Sequence, residues 1–195
     1  MIHVCRNKRR TTLITFGICA AVFSAAAGYA RISGPNGAPV DEWVGDVCGA
    51  LAGWQRDIEI SQTEMMQEAA PDIGADGDRR QILVFLDRTI SRTGEMLGEI
   101  ESAGQPAVED GEAIAATLRE VLSEFGPILA RERAKVDELP DDPQVIAEGA
   151  QEIGNSINEE FDRIGARLEA SPIDPGPELA RAVDEDPTCQ TTGLD

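Results

Sequence analysis

Beyond residue 30 this chain contains no histidine and no tyrosine, one lysine (Lys135) and two cysteines (Cys48 and Cys189). Each shortage closes a class of chemistry. Without imidazole there is no Ser–His or Cys–His nucleophile and no histidine general base. The commonest zinc and haem ligand is also missing, and two thiols are too few for a four-sulfur metal site. The sequence has no phosphate-cradling Gly-rich loop of the P-loop type and no dinucleotide fingerprint. What remains is a pair of carboxylates working as acid and base, and a chain with 36 acidic residues singles out no such pair. The expectation is a protein that is not an enzyme and needs no cofactor.

The first thirty residues are set apart by charge. Arg6, Lys8, Arg9 and Arg10 form a basic cluster, residues 11–30 carry no charge, and the run from Leu13 to Ala27 is mainly apolar or small. Small residues recur from Ala25 to Ala30 and suit a cut after Ala27 or after Ala30. That order is the order of an export signal. An uncleaved membrane anchor over residues 11–30 is the alternative, because about 20 uncharged residues just span a bilayer. Lipidation at Cys19 is disfavoured, since Ile18 stands where a small residue is needed. The expected location is therefore extracellular or in the cell envelope.

Four of the 17 basic residues and none of the 36 acidic ones precede residue 31, which leaves 13 basic against 36 acidic and a net charge of −23. Such a surface repels nucleic acid and anionic headgroups, both of which need a positive footprint. Nucleic acid is thus excluded as a partner, and membrane contact is expected only through the N-terminal segment if it is uncleaved. Arginine outnumbers lysine 15 to 2, a bias that a GC-rich genome produces.

Proline and glycine divide the rest into a 31–39 linker, a helical region over 40–171 and a tail over 172–195. Val40, Val44, Val47, Leu51, Trp54 and Ile58 step by three and four along one helical face. A second stripe runs through Ile82, Phe85, Leu86, Thr89, Ile90, Thr93, Leu97 and Ile100, after an acidic turn over residues 72–78. A third runs from Ile114 to Leu139, with Pro127 expected to kink it. The fourth, from Ile146 to Leu168, follows Asp141-Asp142-Pro143-Gln144, a start signal with a capping carboxylate and a first-turn proline. A short helix over about 178–183 is expected in the tail. No alternating run suggests a strand. The predicted fold is all-α, an antiparallel four-helix bundle with a disulfide-tethered C-terminal tail. A long coiled coil is disfavoured by Pro71, Pro106, Pro140 and Pro143. Val44, Leu51, Ile58, Leu86, Ile90, Leu97, Leu118, Phe125, Ile157, Phe161 and Ile164 are expected in one core.

Cys48 and Cys189 are the pair left once the signal is gone, and an oxidising compartment predicts a bridge between them. Asp72, Asp76 and Asp78 fall at positions 1, 5 and 7 of a calcium loop with Gly77 at the sharp turn, but Gly74 and Leu83 occupy positions 3 and 12. An acidic turn capping the next helix explains these residues equally well. Trp43 and Trp54 offer stacking surfaces, although core or interface roles are commoner. Trp43-Val44-Gly45 matches the Trp-x-Gly signature of small exported helical hairpins in letters alone, because here it opens a helix. Glu95, Glu99 and Glu101 read as a solvated face.

Residues Asp41-Glu42-Trp43-Val44-Gly45-Asp46-Val47-Cys48, the Val108–Ile114 stretch and Asp186-Pro187-Thr188-Cys189 resemble small secreted or lipoprotein-like proteins of actinobacteria. The resemblance implies export and a helical fold, and it brings no catalytic or ligand residues. The chain departs from the lipoprotein members in having no cysteine at a lipidation position. Two functions fit: an envelope-associated binding or accessory module that contacts another protein, or a carrier of a small apolar or cationic ligand between its helices. Polar residues inside an apolar stripe would favour the carrier, and Thr89 with Thr93 is the one persuasive case.

Overall fold

The first described helix begins at Val40, directly after a proline, where the sequence places it. A computed structural model describes residues 37–68, 74–171 and 175–190, and among these every regular element is helical. The helices are α1 (Val40–Glu68), α2 (Gly74–Ala103), α3 (Gly111–Leu122), α4 (Phe125–Asp137), α5 (Pro143–Glu169), α6 (Gly176–Glu185) and α7 (Pro187–Gln190). None is long and apolar enough to cross a membrane, and the expected signal or anchor at 1–30 lies outside the described residues.

Side-chain pairs fix the directions of neighbours. Trp43 bonds Gly104, Trp54 bonds Thr93 and Arg88 pairs with Glu64, so α1 and α2 run antiparallel. Arg133 reaches Asp87 and Arg79 reaches the Leu139 carbonyl, which sets α4 antiparallel to α2. Arg131 with Glu160 and Arg167 with Glu124 do the same for α4 and α5. The end of the expected linker is fixed in place: Ala38 donates to the Gln105 carbonyl and accepts from the Ala107 amide, each at 2.8 Å. Backbones approach closely here. Gly37 has φ +93° and Gly111 faces the Pro106 carbonyl, so neither position has room for a side chain.

The predicted third helix is two helices. Pro127 lacks the amide that would bond the Ser123 carbonyl four residues back, and its ring crowds that same group. The break falls at Ser123 and Glu124, and Pro127 sits in the first turn of α4, where no amide partner is needed. The start signal of α5 works as read, with one change. Asp142 is the N-cap and accepts from the amides of Gln144 and Val145, with Pro143 at the first helical position. Asp141 turns away and pairs with Arg79.

The single expected core is two clusters. The larger joins α1, the C-terminal half of α2, α3, the start of α4 and residues of α5, α6 and α7. Trp54, Phe125 and Phe161 meet at its centre, with Trp54 stacked on Phe125 at 5.5 Å between ring centroids. The smaller gathers Leu86, Val136 and Ile153 with Ile82, Leu83, Phe85 and Ile157. Of the eleven expected core residues, Val44, Leu51, Leu86, Phe125 and Ile164 are fully buried, and the other six are half-buried. Burying each large apolar side chain contributes roughly 1.5–3 kcal/mol.

The C-terminal tail is tethered as predicted and the short helix expected over about 178–183 is present as α6, but the tail is also packed. Leu179 and Ala182 of α6 are buried with the α1 core, and Cys189 of α7 is joined to Cys48 across a Cα–Cα distance of 5.2 Å. Asp186 caps α7 by accepting from the amides of Thr188 and Cys189. The reason is local periodicity: Leu179, Ala182 and Val183 share one face of a short helix, and that face needs an apolar partner.

Candidate functional site

The residues proposed from sequence as sites are for the most part spent on structure. Cys48 and Cys189 form a buried bridge. Asp76 and Asp78 lie in the first turns of α2 itself, not in a loop. Residues two apart on a helix point about 200° apart, so these carboxylates do not converge. Asp72 lies outside the described residues. No group of three or more potential ligands occurs among the described residues. Trp43 and Trp54 are each 5% exposed, so neither offers a face for stacking. Trp43-Val44-Gly45 lies within α1.

Thr89 and Thr93 are buried, and their hydroxyls are satisfied internally. Thr89 donates to the Phe85 carbonyl and Thr93 to the Thr89 carbonyl, while Thr93 accepts from the Trp54 indole at 3.0 Å. Of the polar pair that would have favoured a ligand between the helices, Thr93 instead ties α1 to α2 and Thr89 bonds within its own helix.

Glu132 is a site that the sequence reading passed over. Its side chain is 0% exposed. It lies between α4 and α5, reached by Lys135 at 2.7–2.9 Å, by Arg131 at 3.2 Å and by the Ser156 hydroxyl at 3.2 Å. Burial pushes its pKa up, but hydrogen bonds from Lys135 and Arg131, the Lys135 charge and the Ser156 hydroxyl prevail and hold it below the ordinary carboxylate value. The lone lysine beyond residue 30 is committed to this contact. The signal was present: Phe125, Leu129, Glu132 and Val136 step by four, three and four, which puts a carboxylate on an apolar face.

Among the acidic residues, Glu99 is held above its ordinary pKa by partial burial, then by the charges of Glu95 and Asp57. Glu95 and Asp57 are both drawn to Arg92. Arg92, Glu95 and Glu99 are exposed and Asp57 is half-buried.

A concave feature of the described surface lies between the C-terminal half of α1 and the N-terminal half of α2. Ser61 and Met65 line it from α1, and Arg80, Gln81, Val84, Phe85 and Arg88 line it from α2, around a volume of about 170 Å³. Val84 is 43% exposed, and Ile60, next to Ser61, is 48% exposed. They are the exposed large apolar side chains among the described residues. The charged groups in the lining are both arginines, which disfavours a cationic ligand here. Arg88 pairs with Glu64 at 2.8 Å with both side chains half-exposed, while Arg80 has no ion pair among the described residues. Helical periodicity explains the exposure. Val84 lies outside the stripe of Ile82, Phe85, Leu86 and Thr89, and the small cluster that α2 makes here with Val136 of α4 and Ile153 of α5 draws on that stripe rather than on Val84.

Comparison with protein-family models, with curated proteins and with solved structures found no match to this chain.

Proposed function

We propose that the protein is a non-catalytic, exported helical module that binds another protein at the cell envelope or outside the cell. In this reading α1, α2, the α3–α4 pair and α5 act as an antiparallel four-helix bundle, braced by α6 and α7. The groove between α1 and α2 is the docking surface. One observation carries the reading: the exposed Val84 lines an arginine-edged groove together with Met65 and Phe85, and Ile60, the neighbour of the lining Ser61, is exposed as well. Clustered apolar exposure marks interaction sites, whereas scattered exposure does not. The internal satisfaction of Thr89 and Thr93 supports a surface mode of binding over a ligand held between the helices. The missing histidine and tyrosine support a role without catalysis.

Affinity capture from envelope extract tests this reading, using the exported, oxidised chain and its Val84→Asp variant side by side. A partner retained by the parent chain and lost by the variant is the expected result. A partner retained equally by both places the docking surface elsewhere.

A further inference from the structure

Resting on that reading of the groove, we infer that its occupant is an acidic amphipathic helix of a partner protein, presenting one large apolar side chain between two carboxylates. Arg80, Val84 and Arg88 follow one another at four-residue steps on α2. They form one ridge, cation–apolar–cation, about 12 Å long at 1.5 Å per residue. A helix laid along that ridge meets it with side chains at the same spacing, the usual geometry of helix-in-groove recognition.

Size and charge select the occupant. A cavity of roughly 150 Å³ takes one benzene-sized group, so the groove of about 170 Å³ has room for one leucine or phenylalanine side chain. The ion pair of Arg88 with Glu64 is half-exposed on both sides, and such pairs are worth little and exchange readily. Arg80 has no ion pair to give up among the described residues. Two carboxylates of a partner therefore gain charge-assisted bonds at small cost. The net charge of the chain opposes an acidic partner at a distance, but physiological salt screens that repulsion beyond about 8 Å. Contact chemistry then decides, and at the groove it is cationic.

The test uses the full chain, exported so that Cys48 and Cys189 are joined, and labelled, helix-stabilised 18-residue peptides read by fluorescence anisotropy at about 0.15 M salt. One peptide carries Glu-x3-Leu-x3-Glu, a second replaces both glutamates with glutamine, and a third replaces both with lysine. The glutamate peptide is expected to bind at least about tenfold tighter than the glutamine peptide, with the lysine peptide weakest. The Arg80→Glu/Arg88→Glu variant should reverse that order, and Val84→Asp should abolish binding of all three. Far-UV circular dichroism confirms that each variant keeps its helices. Equal binding of the glutamate and glutamine peptides, lost in Val84→Asp, overturns the acidic preference and leaves the groove as a docking surface. Binding by no peptide, or binding indifferent to Val84→Asp, overturns both. Self-association in sedimentation that Val84→Asp removes would make a second copy the occupant and overturn the inference.

Discussion

Replacing Cys48 and Cys189 together by alanine isolates what the bridge contributes. The bond spans 141 residues of sequence. Chain-entropy scaling for a loop of that length gives an upper value of about 5 kcal/mol, most of it from restricting the unfolded chain. The structure adds a local reason for dependence. Residues 175–190 bury Leu179, Ala182 and Cys189 against α1 and half-bury Val183. Those side chains contribute a few kcal/mol at roughly 1.5–3 kcal/mol for each large one. Fixing the backbone costs about 1–2 kcal/mol per residue, so burial alone holds the segment weakly. The expected loss is about 2–5 kcal/mol. For a chain of this size that corresponds to a fall in melting temperature of roughly 5–20 °C. Calorimetry of the oxidised parent and the double variant measures the global loss. Hydrogen exchange locates it, and the amides of α6 and α7 should lose protection before those of α1 and α2. A melting temperature within about 2 °C of the parent, with α6 and α7 equally protected, would refute the reasoning.

Glu132→Gln should lower stability at neutral pH by roughly 1.5–3 kcal/mol, the range for hydrogen bonds to a charged group. The folded pKa lies below the unfolded value, so this stability is present above the unfolded carboxylate value of about 4.3 and is lost as pH falls through the folded pKa. Urea midpoints for parent and variant should therefore converge on acidification, and a gap that stays constant into the acid range contradicts the assignment. Gly111→Ala should destabilise by several kcal/mol or prevent folding, because its Cβ would lie 2.1 Å from the Pro106 carbonyl oxygen. Gly98→Ala, whose Cβ meets nothing within 4 Å, should instead stabilise α2 by about 0.5–1 kcal/mol; paired thermal melts give both signs at once. Asp142→Ala removes a side chain that accepts from two amides at 2.8 and 3.2 Å, and a loss of about 1 kcal/mol is expected in chemical denaturation.

The sequence alone determined what depends on local pattern and on counting. Steps of three and four residues placed α1, α2 and α5, since one helical face repeats every 3.6 residues whatever it packs against. Asp142 and Pro143 marked the start of α5 because a cap satisfies amides of its own helix. The pairing of Cys48 with Cys189 followed from there being two thiols beyond residue 30. The third stripe was legible too, but whether Pro127 bends a helix or ends one depends on what the neighbouring helices cover, and here α3 stops and α4 restarts.

Tertiary structure decided whatever depends on which faces meet. It placed Leu179 and Ala182 against α1, turning an expected tail into part of the core. It separated one expected core into two, because Leu86 and Ile157 meet Val136 and Ile153 rather than Trp54. It buried Glu132, whose position in the apolar stripe was visible but whose partners Arg131, Lys135 and Ser156 come from two helices. It also set Met65 of α1 beside Val84 of α2 in one groove. No sequence pattern reports such a groove, because it is formed by the space between two helices.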